Sequence, residues 1–205
     1  MSAPRPIVIA GPTASGKTAA GLWIARHLGG ELVGADSVQV YRGFDIGSAK
    51  PTEEELSGVA HHLIDIVDPD EEVDAQRYAE LADAAIADIE ARGRVPIVVG
   101  GTGLWIRALL RGLVSVPPVD RELRARIEAE VDQEGSPAMH ARLAAVDPRA
   151  AAGIHPNDRL RIVRALEVFE QTGTPMGELR HAHALGAPRY DALFVVLDPG
   201  AALTE

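Results

Sequence analysis

The sequence predicts an α/β protein, a parallel sheet with a helical segment inserted into it, and three observations carry that reading. Four short β-branched runs are punctuated by Gly or Asp. Helical periodicity fills the gaps between the first three, and one long stretch without strand signal separates the third run from the fourth.

The first run, residues 6 to 10, leads into a Gly-rich turn and then a helical pattern over 17 to 28 that Gly29-Gly30 stops. The second run is ELVGA, residues 31 to 35. A further helix starts near Asp74, a good N-cap, with Val73 and Tyr78 spaced to staple its entry. It puts Tyr78, Leu81, Ala85, Ile86 and Ile89 on one face and ends at Gly93. The third run, VPIVV, covers 95 to 99. Val116-Pro117-Pro118 then breaks the chain, and three helical stretches follow, at about 120 to 134, 137 to 145 and 157 to 171. The fourth run, ALFVVL, covers 192 to 197. All four runs read as buried parallel strands, so ligands are expected at their carboxyl ends. Residues 1–115 and 189–205 form the expected core, and 116–188 a helical insertion. Asp198-Pro199-Gly200 and residues 201 to 205 read as the start of a helix that is cut off.

Composition narrows the function. An apolar fraction of 46% against 24% charged leaves ample material for a core. The absence of cysteine removes disulfides and thiolate metal sites. No N-terminal segment reads as a signal peptide and no apolar run nears the ~20 residues of a membrane span, so a cytoplasmic protein is expected, with no membrane role. A net charge of −10 argues against a surface coated for nonspecific nucleic-acid binding. It leaves room for local basic patches, and arginines do cluster at Arg107, Arg111, Arg121, Arg124 and Arg126, and again at Arg159, Arg161 and Arg164.

The chemistry begins at GPTASGKT, where Gly11, Pro12, Thr13, Ala14, Ser15, Gly16, Lys17 and Thr18 fit G-x-x-x-x-G-K-[ST] between a strand and a helix. Glycines let backbone N–H groups curl round an anion, the helix N-terminus adds its dipole, Lys17 neutralises charge and the Thr18 hydroxyl suits Mg²⁺. A di- or triphosphate site outweighs a chance Gly turn. Nucleotide-hydrolysing and kinase relatives of this motif carry an acid at the tip of a second strand, but here residues 95 to 99 end in Gly100-Gly101-Thr102-Gly103. An acid follows the second run instead. Asp36 opens ADSVQVYRGFDIGSAKP, residues 35 to 51, and should share a crevice with Lys17, as base or metal ligand or, more blandly, as the cap of a turn. Ser37, Gln39 and Tyr41 follow at alternating positions and could hydrogen-bond and stack on a planar base.

His61-His62 lie on an extended segment and face opposite ways, which suits a structural role better than one shared metal. Thr102 offers a hydroxyl where glycines bring backbone near a ligand, unless this is a plain turn. In NDRLRIVRALEVF, residues 157 to 169, Asn157 or Asp158 caps a helix with Ile162, Leu166 and Phe169 on one face. On residues alone, Arg161 and Arg164 read as an ordinary solvated face.

Together GPTASGKT, ADSVQVYRGFDIGSAKP, HHLIDI, VGGTGLWIRALL and NDRLRIVRALEVF, in that order, resemble the tRNA dimethylallyltransferase family. The resemblance implies a P-loop NTPase-like parallel sheet with a helical insertion domain. It implies transfer of a dimethylallyl group from its diphosphate to the exocyclic amine of the adenosine just 3′ of the anticodon in tRNA, with Mg²⁺ as cofactor. By resemblance, Asp36 is the general base, Lys17 and Thr18-bound Mg²⁺ stabilise the departing pyrophosphate, and Thr102 positions the substrates. Ser37, Val38 and Gln39 match the segment that reads the target base, which must be flipped out of the anticodon stack. Arg124 and the stretch Leu160, Arg161, Ile162, Val163 and Arg164 match tRNA-holding positions, which reverses the reading of Arg161 and Arg164 as merely solvated. Leu160 stands where many relatives have Gln, Trp105 where Tyr is common and Ser48 where Thr is common. A monomer is expected. Relatives run roughly a hundred residues further, judged by resemblance, so the 205-residue chain is expected to bind diphosphate weakly and to modify tRNA poorly or not at all. Three other readings stand beside this one: a prenyltransferase acting on free adenine nucleotide, a P-loop small-molecule kinase, and a noncatalytic RNA-binding protein.

Overall fold

The computed structural model describes residues 5–56, 58–184, 187–198 and 200. Strands β1 (Ile7–Ala10), β2 (Gly30–Gly34), β3 (His61–His62), β4 (Val95–Gly100) and β5 (Leu193–Val196) form one sheet in the order β3-β2-β4-β1-β5. All the pairings are parallel. The chain skips from β1 over the place of β4 to β2 and returns, so the order reverses next to β1, where α/β sheets open a crevice at their carboxyl ends.

Alternation along β1 sends side chains to both faces. Ile7 and Ile9 pack with Leu22 and Ala25 of α1 (Lys17–Leu28) and with Leu32, Ile97 and Val99. Val8 joins Val33, Val98 and the buried sides of α3 (Ala75–Ala91) and α4 (Gly103–Arg111). Asp74 caps α3 by accepting from the Arg77 amide at 2.8 Å, while Val73 and Tyr78 are both buried, as a hydrophobic staple requires. A short α2 (Glu53–Leu56) precedes β3.

One strand departs from expectation. Leu193, Phe194 and Val196 of β5 are half exposed or more, whereas β1, β2 and β4 are buried almost throughout. The run is β-branched and apolar as in the other strands, but among the described residues it lies at the sheet edge with β1 as its only strand partner. The cut-off helix expected at 201 to 205 lies outside the described residues.

Chain contacts divide the protein into two compact units, Met1–Leu113 with Ala187–Glu205, and Val114–Gly186. The second is helical: α5 (Arg121–Glu134), α6 (Ser136–Val146), α7 (Pro148–Ala151), α8 (Arg159–Thr172) and α9 (Met176–Ala184). Ile127, Val131, Met139, Leu143, Ile162 and Leu166 form its core. Asp158, rather than Asn157, caps α8, accepting from the Arg161 amide at 3.2 Å, and Gly173 ends it in the left-handed conformation.

Candidate active site

The Gly-rich turn after β1 is built around an absent side chain. A Cβ on Gly11 would lie 2.3 Å from the Leu197 carbonyl oxygen and 2.9 Å from Ser15 Oγ, so only glycine fits. Gly16 caps α1 in the left-handed conformation and offers no side-chain acceptor to the amides of the first turn, which α1 leaves without an acidic residue as well. Ser15 Oγ is buried and has no hydrogen-bond partner among the described residues. Orphan amides, an orphan hydroxyl and a helix N-terminus facing one turn suit an anion. Lys17 folds back to donate to the Pro12 carbonyl. Desolvation holds its pKa below the ordinary lysine value, against an opposing pull from Asp36, which puts the two charges within electrostatic reach.

Asp36 sits just past β2. Its Oδ1 accepts from the amides of Val38 at 2.9 Å and Gln39 at 3.3 Å, while Oδ2 takes no hydrogen bond from the described residues. The capping role and a chemical role are therefore compatible: one oxygen is anchored, the other is left to accept a proton. Thr102, at the tip of β4, is tied to the same segment three ways. Its amide donates to the Ala35 carbonyl at 3.1 Å. Its Oγ1 accepts from the Ser37 amide at 3.0 Å and donates to Ser37 Oγ at 3.3 Å. The close approach of β2 and β4 requires Gly100, whose Cβ would lie 2.1 Å from the Ala35 carbonyl oxygen.

The segment after Asp36 is turned, not extended, because the Asp36 cap and a Tyr41 amide to Val38 carbonyl bond at 3.2 Å curl it. Period-two alternation therefore fails there. Ser37 and Val38 are exposed, but Gln39 Nε2 donates to the carbonyls of Ser48 at 2.8 Å and Ala49 at 3.1 Å. Tyr41 packs toward the core, with its hydroxyl accepting from the Val73 amide. Its ring makes a tilted contact with the Phe44 ring, centroids 5.6 Å apart. Among the described residues, the non-glycine residues with positive φ are Ala14, Ala49, Leu63 and Asp65, one in the phosphate turn and three in the loops beside Asp36. Such conformations cost about 1–3 kcal/mol each and persist where surrounding structure enforces them.

The two histidines diverge as expected from an extended pair. His62 Nε2 bonds Glu31 Oε2 at 2.7 Å, while both ring nitrogens of His61 are buried without a partner among the described residues. Burial pushes the His61 pKa down to about 4. The network that Glu31 makes with His62, Arg92 and Arg94 has no local sequence signature, since its members are far apart in the chain.

Among the described residues no cluster of three or more His, Cys, Asp or Glu side chains suits a metal. Mg²⁺ does not demand one. It keeps several waters and is commonly held by one or two protein oxygens with substrate phosphates. Thr18, lining a cavity of about 400 Å³ between α1 and residues 49 to 55, together with the orphan Ser15 hydroxyl, fits that manner of binding.

In the helical unit, Leu160 and Arg161 are exposed, whereas Ile162 and Val163 point into the core. Arg124 pairs with Glu128 at 3.0 Å. Arg164 donates to the Pro117 carbonyl at 2.7 Å and lies 3.0 Å from Glu167, a fully buried carboxylate that also accepts from the Asp120 amide. Arg164 is thus an internal tether, not part of a freely solvated face.

Three comparisons place the chain among known proteins. The model of the IPP transferase family matches residues 39–205. A tRNA dimethylallyltransferase of Anaeromyxobacter dehalogenans is 61% identical over 95% of this chain, and one of Myxococcus xanthus 54% over 96%. In each case the chain spans 65% of the relative's length. Among solved structures, a eukaryotic dimethylallyltransferase acting on tRNA superposes with a TM-score of 0.75 at 31% identity, covering 95% of this chain and 48% of that one. A tRNA isopentenylpyrophosphate transferase from Staphylococcus epidermidis gives 0.58 at 37% identity, covering 94% and 63%. The match to the family model begins after both the phosphate turn and Asp36 and takes in Thr102 and the whole helical unit, and on that match over residues 39–205 the chain belongs to the IPP transferase family.

Proposed function

We propose that the chain carries the catalytic core for transfer of a dimethylallyl group from dimethylallyl diphosphate to N6 of the adenosine 3′-adjacent to the anticodon in tRNA. The observation that carries this reading is the free Oδ2 of Asp36, beside a phosphate turn whose sheet has no acid at the tip of β4. A γ-phosphoryl transfer site would need such an acid to hold its metal. An alkyl transfer does not.

In the proposed reaction N6 attacks C1 of the dimethylallyl group, the C1–O bond breaks and pyrophosphate leaves. The N6 lone pair is delocalised into the ring, so loss of the N6 proton to Asp36 Oδ2 must accompany bond formation. The turn amides and Lys17 hold the charge that grows on the leaving oxygen. Mg²⁺, when bound at Thr18, would supply further charge neutralisation on that pyrophosphate. Thr102 and Ser37 keep the tips of β4 and β2 together, fixing Asp36 relative to the phosphate turn. Leu160 and Arg161, exposed on α8, offer a surface for the RNA, with Arg124 on α5 of the same unit as a further contact and Ile162, Val163 and Arg164 supporting α8 from inside.

Calorimetric titration with dimethylallyl diphosphate and with ATP, each with Mg²⁺, tests the ligand. The diphosphate should bind more tightly than ATP and lose at least tenfold affinity in Lys17→Ala. Transfer of labelled γ-phosphate from ATP to an acceptor would overturn the proposal.

A further inference from the structure

The loop that follows Asp36 is held by a cation with no part in the chemistry above. Lys50 is an internal lysine, its side chain only 7% exposed. Its ammonium donates to the Tyr41 carbonyl at 2.7 Å, to Asp45 at 3.0 Å and to Asp65 at 2.5 Å. Three donors meet three acceptors, which uses the full capacity of an ammonium group. The acceptors come from the two segments that flank Asp36 in space: the turn at 41 to 45 and the loop after β3.

Those segments in turn fix the residues proposed to meet the acceptor base. Asp65, the strongest partner of Lys50, donates its amide to the Gln39 carbonyl at 3.1 Å, and Ile66 donates to the Val40 carbonyl at 3.0 Å. Gln39 grips the carbonyls of Ser48 and Ala49, the residues just before Lys50. Gln39 also donates its amide to Asp36 Oδ1. The contacts close a ring, Lys50 to Asp65 to Gln39 to Ala49 and back to Lys50, and Asp36 is attached to it at Gln39. The positive φ of Ala49 and Asp65 lies where it closes, a conformation that needs an outside constraint to persist. Lys50 also lines the cavity that Thr18 borders, with Ala49 and Pro51 on either side of it in the chain.

We propose that Lys50 is a positioning residue for the acceptor base, acting through Asp65 and Gln39 to fix the Asp36 turn, and that it takes no part in holding the diphosphate. This rests on the reading that an adenosine is the acceptor.

Two measurements on the 205-residue chain test it in Lys50→Met, Asp65→Asn and Asp45→Asn. In amide hydrogen exchange, Lys50→Met should speed Val38, Gln39, Asp65 and Ile66 at least tenfold and leave α1 and β1 unchanged. Asp65→Asn should do the same more weakly, and Asp45→Asn, whose carboxylate is mostly exposed, should do little. In binding, an anticodon stem-loop carrying the target adenosine is compared with one carrying purine riboside, which lacks the amine. Lys50→Met should bring the ratio of the two affinities to within twofold of one, with affinity for dimethylallyl diphosphate held within twofold of wild type. Faster exchange throughout α1 and β1 would reduce Lys50 to a general stabiliser and overturn the proposal, as would wild-type exchange with discrimination intact. If the wild-type chain itself fails to discriminate, the adenosine reading falls, and the exchange arm still decides whether the clamp exists.

Discussion

Replacing Gly100 by alanine tests how closely the tips of β2 and β4 must approach. The added Cβ would lie 2.1 Å from the Ala35 carbonyl oxygen, 2.4 Å from its carbon and 2.7 Å from its Cβ. All three belong to the chain immediately before Asp36, and two are backbone, so no side-chain rotation relieves the clash. Ala35 must retreat by about 1 Å, straining or breaking its bonds from Thr102 and to Val99, an overpacking at the upper end of the usual range, about 3 kcal/mol. For a chain of this size each kcal/mol moves the melting point by roughly 2–4 °C, so a fall of about 6–12 °C is expected. Both tryptophans, Trp23 and Trp105, lie in the sheet-bearing unit, so fluorescence-detected melting reports that unit alone. Gly103→Ala is the control. Its Cβ would meet nothing within 4 Å at the first residue of α4, so the melting point should hold or rise by about 1–4 °C. A Gly100→Ala melting point within about 1 °C of wild type would refute the packing argument.

Acid should expose the Glu31 network. Burial works against the Glu31 carboxylate, but hydrogen bonds from His62 and Arg92 outweigh it and hold its pKa below the ordinary value. A carboxyl whose pKa is lower in the folded state adds stability above the unfolded value, about 4.3, that disappears as pH falls below it. Glu31→Gln should therefore flatten the acid limb of a stability–pH curve, and an unchanged limb would contradict the assignment. In the helical unit, Arg164→Ala strands the buried Glu167 carboxylate and should cost about 3 kcal/mol in urea denaturation, whereas Arg161→Ala, at an exposed pair, should cost under about 0.5 kcal/mol. If Arg161 meets RNA, Arg161→Ala weakens stem-loop binding at constant stability. Equal stability losses for the two would refute the distinction.

Much of the core was legible because its signals are local. The strand–turn–helix at GPTASGKT reads directly from glycines and a β-branched run, and the Asp74 cap with its Val73–Tyr78 staple marks where α3 begins. Two-residue β3 was legible as an extended segment but not as a member of the sheet, since it is too short for any period and pairs because β2 offers an edge. Tyr41 misled because alternation assumes extended backbone, and a single Asp36 cap was enough to curl the segment. Arg164 misled for a different reason: its helical spacing suits solvent, but Glu167, one turn on, is buried and needs a cation. Lys50 carried one faint signal, a lysine set among Gly, Ser and Pro in the quoted loop, and its partners Asp45 and Asp65 become visible only once β3 is laid beside β2.

The central claim is that the phosphates held at Lys17 are a leaving group and that Asp36 takes the proton from the acceptor amine. Its most direct test is single-turnover transfer with enzyme in excess, from dimethylallyl diphosphate labelled in the alkyl group to an anticodon stem-loop, comparing wild type with Asp36→Asn. The account predicts label on N6 of the adenosine 3′ of the anticodon, formed at least about 100-fold more slowly by Asp36→Asn. Product from Asp36→Asn at the wild-type rate would contradict it.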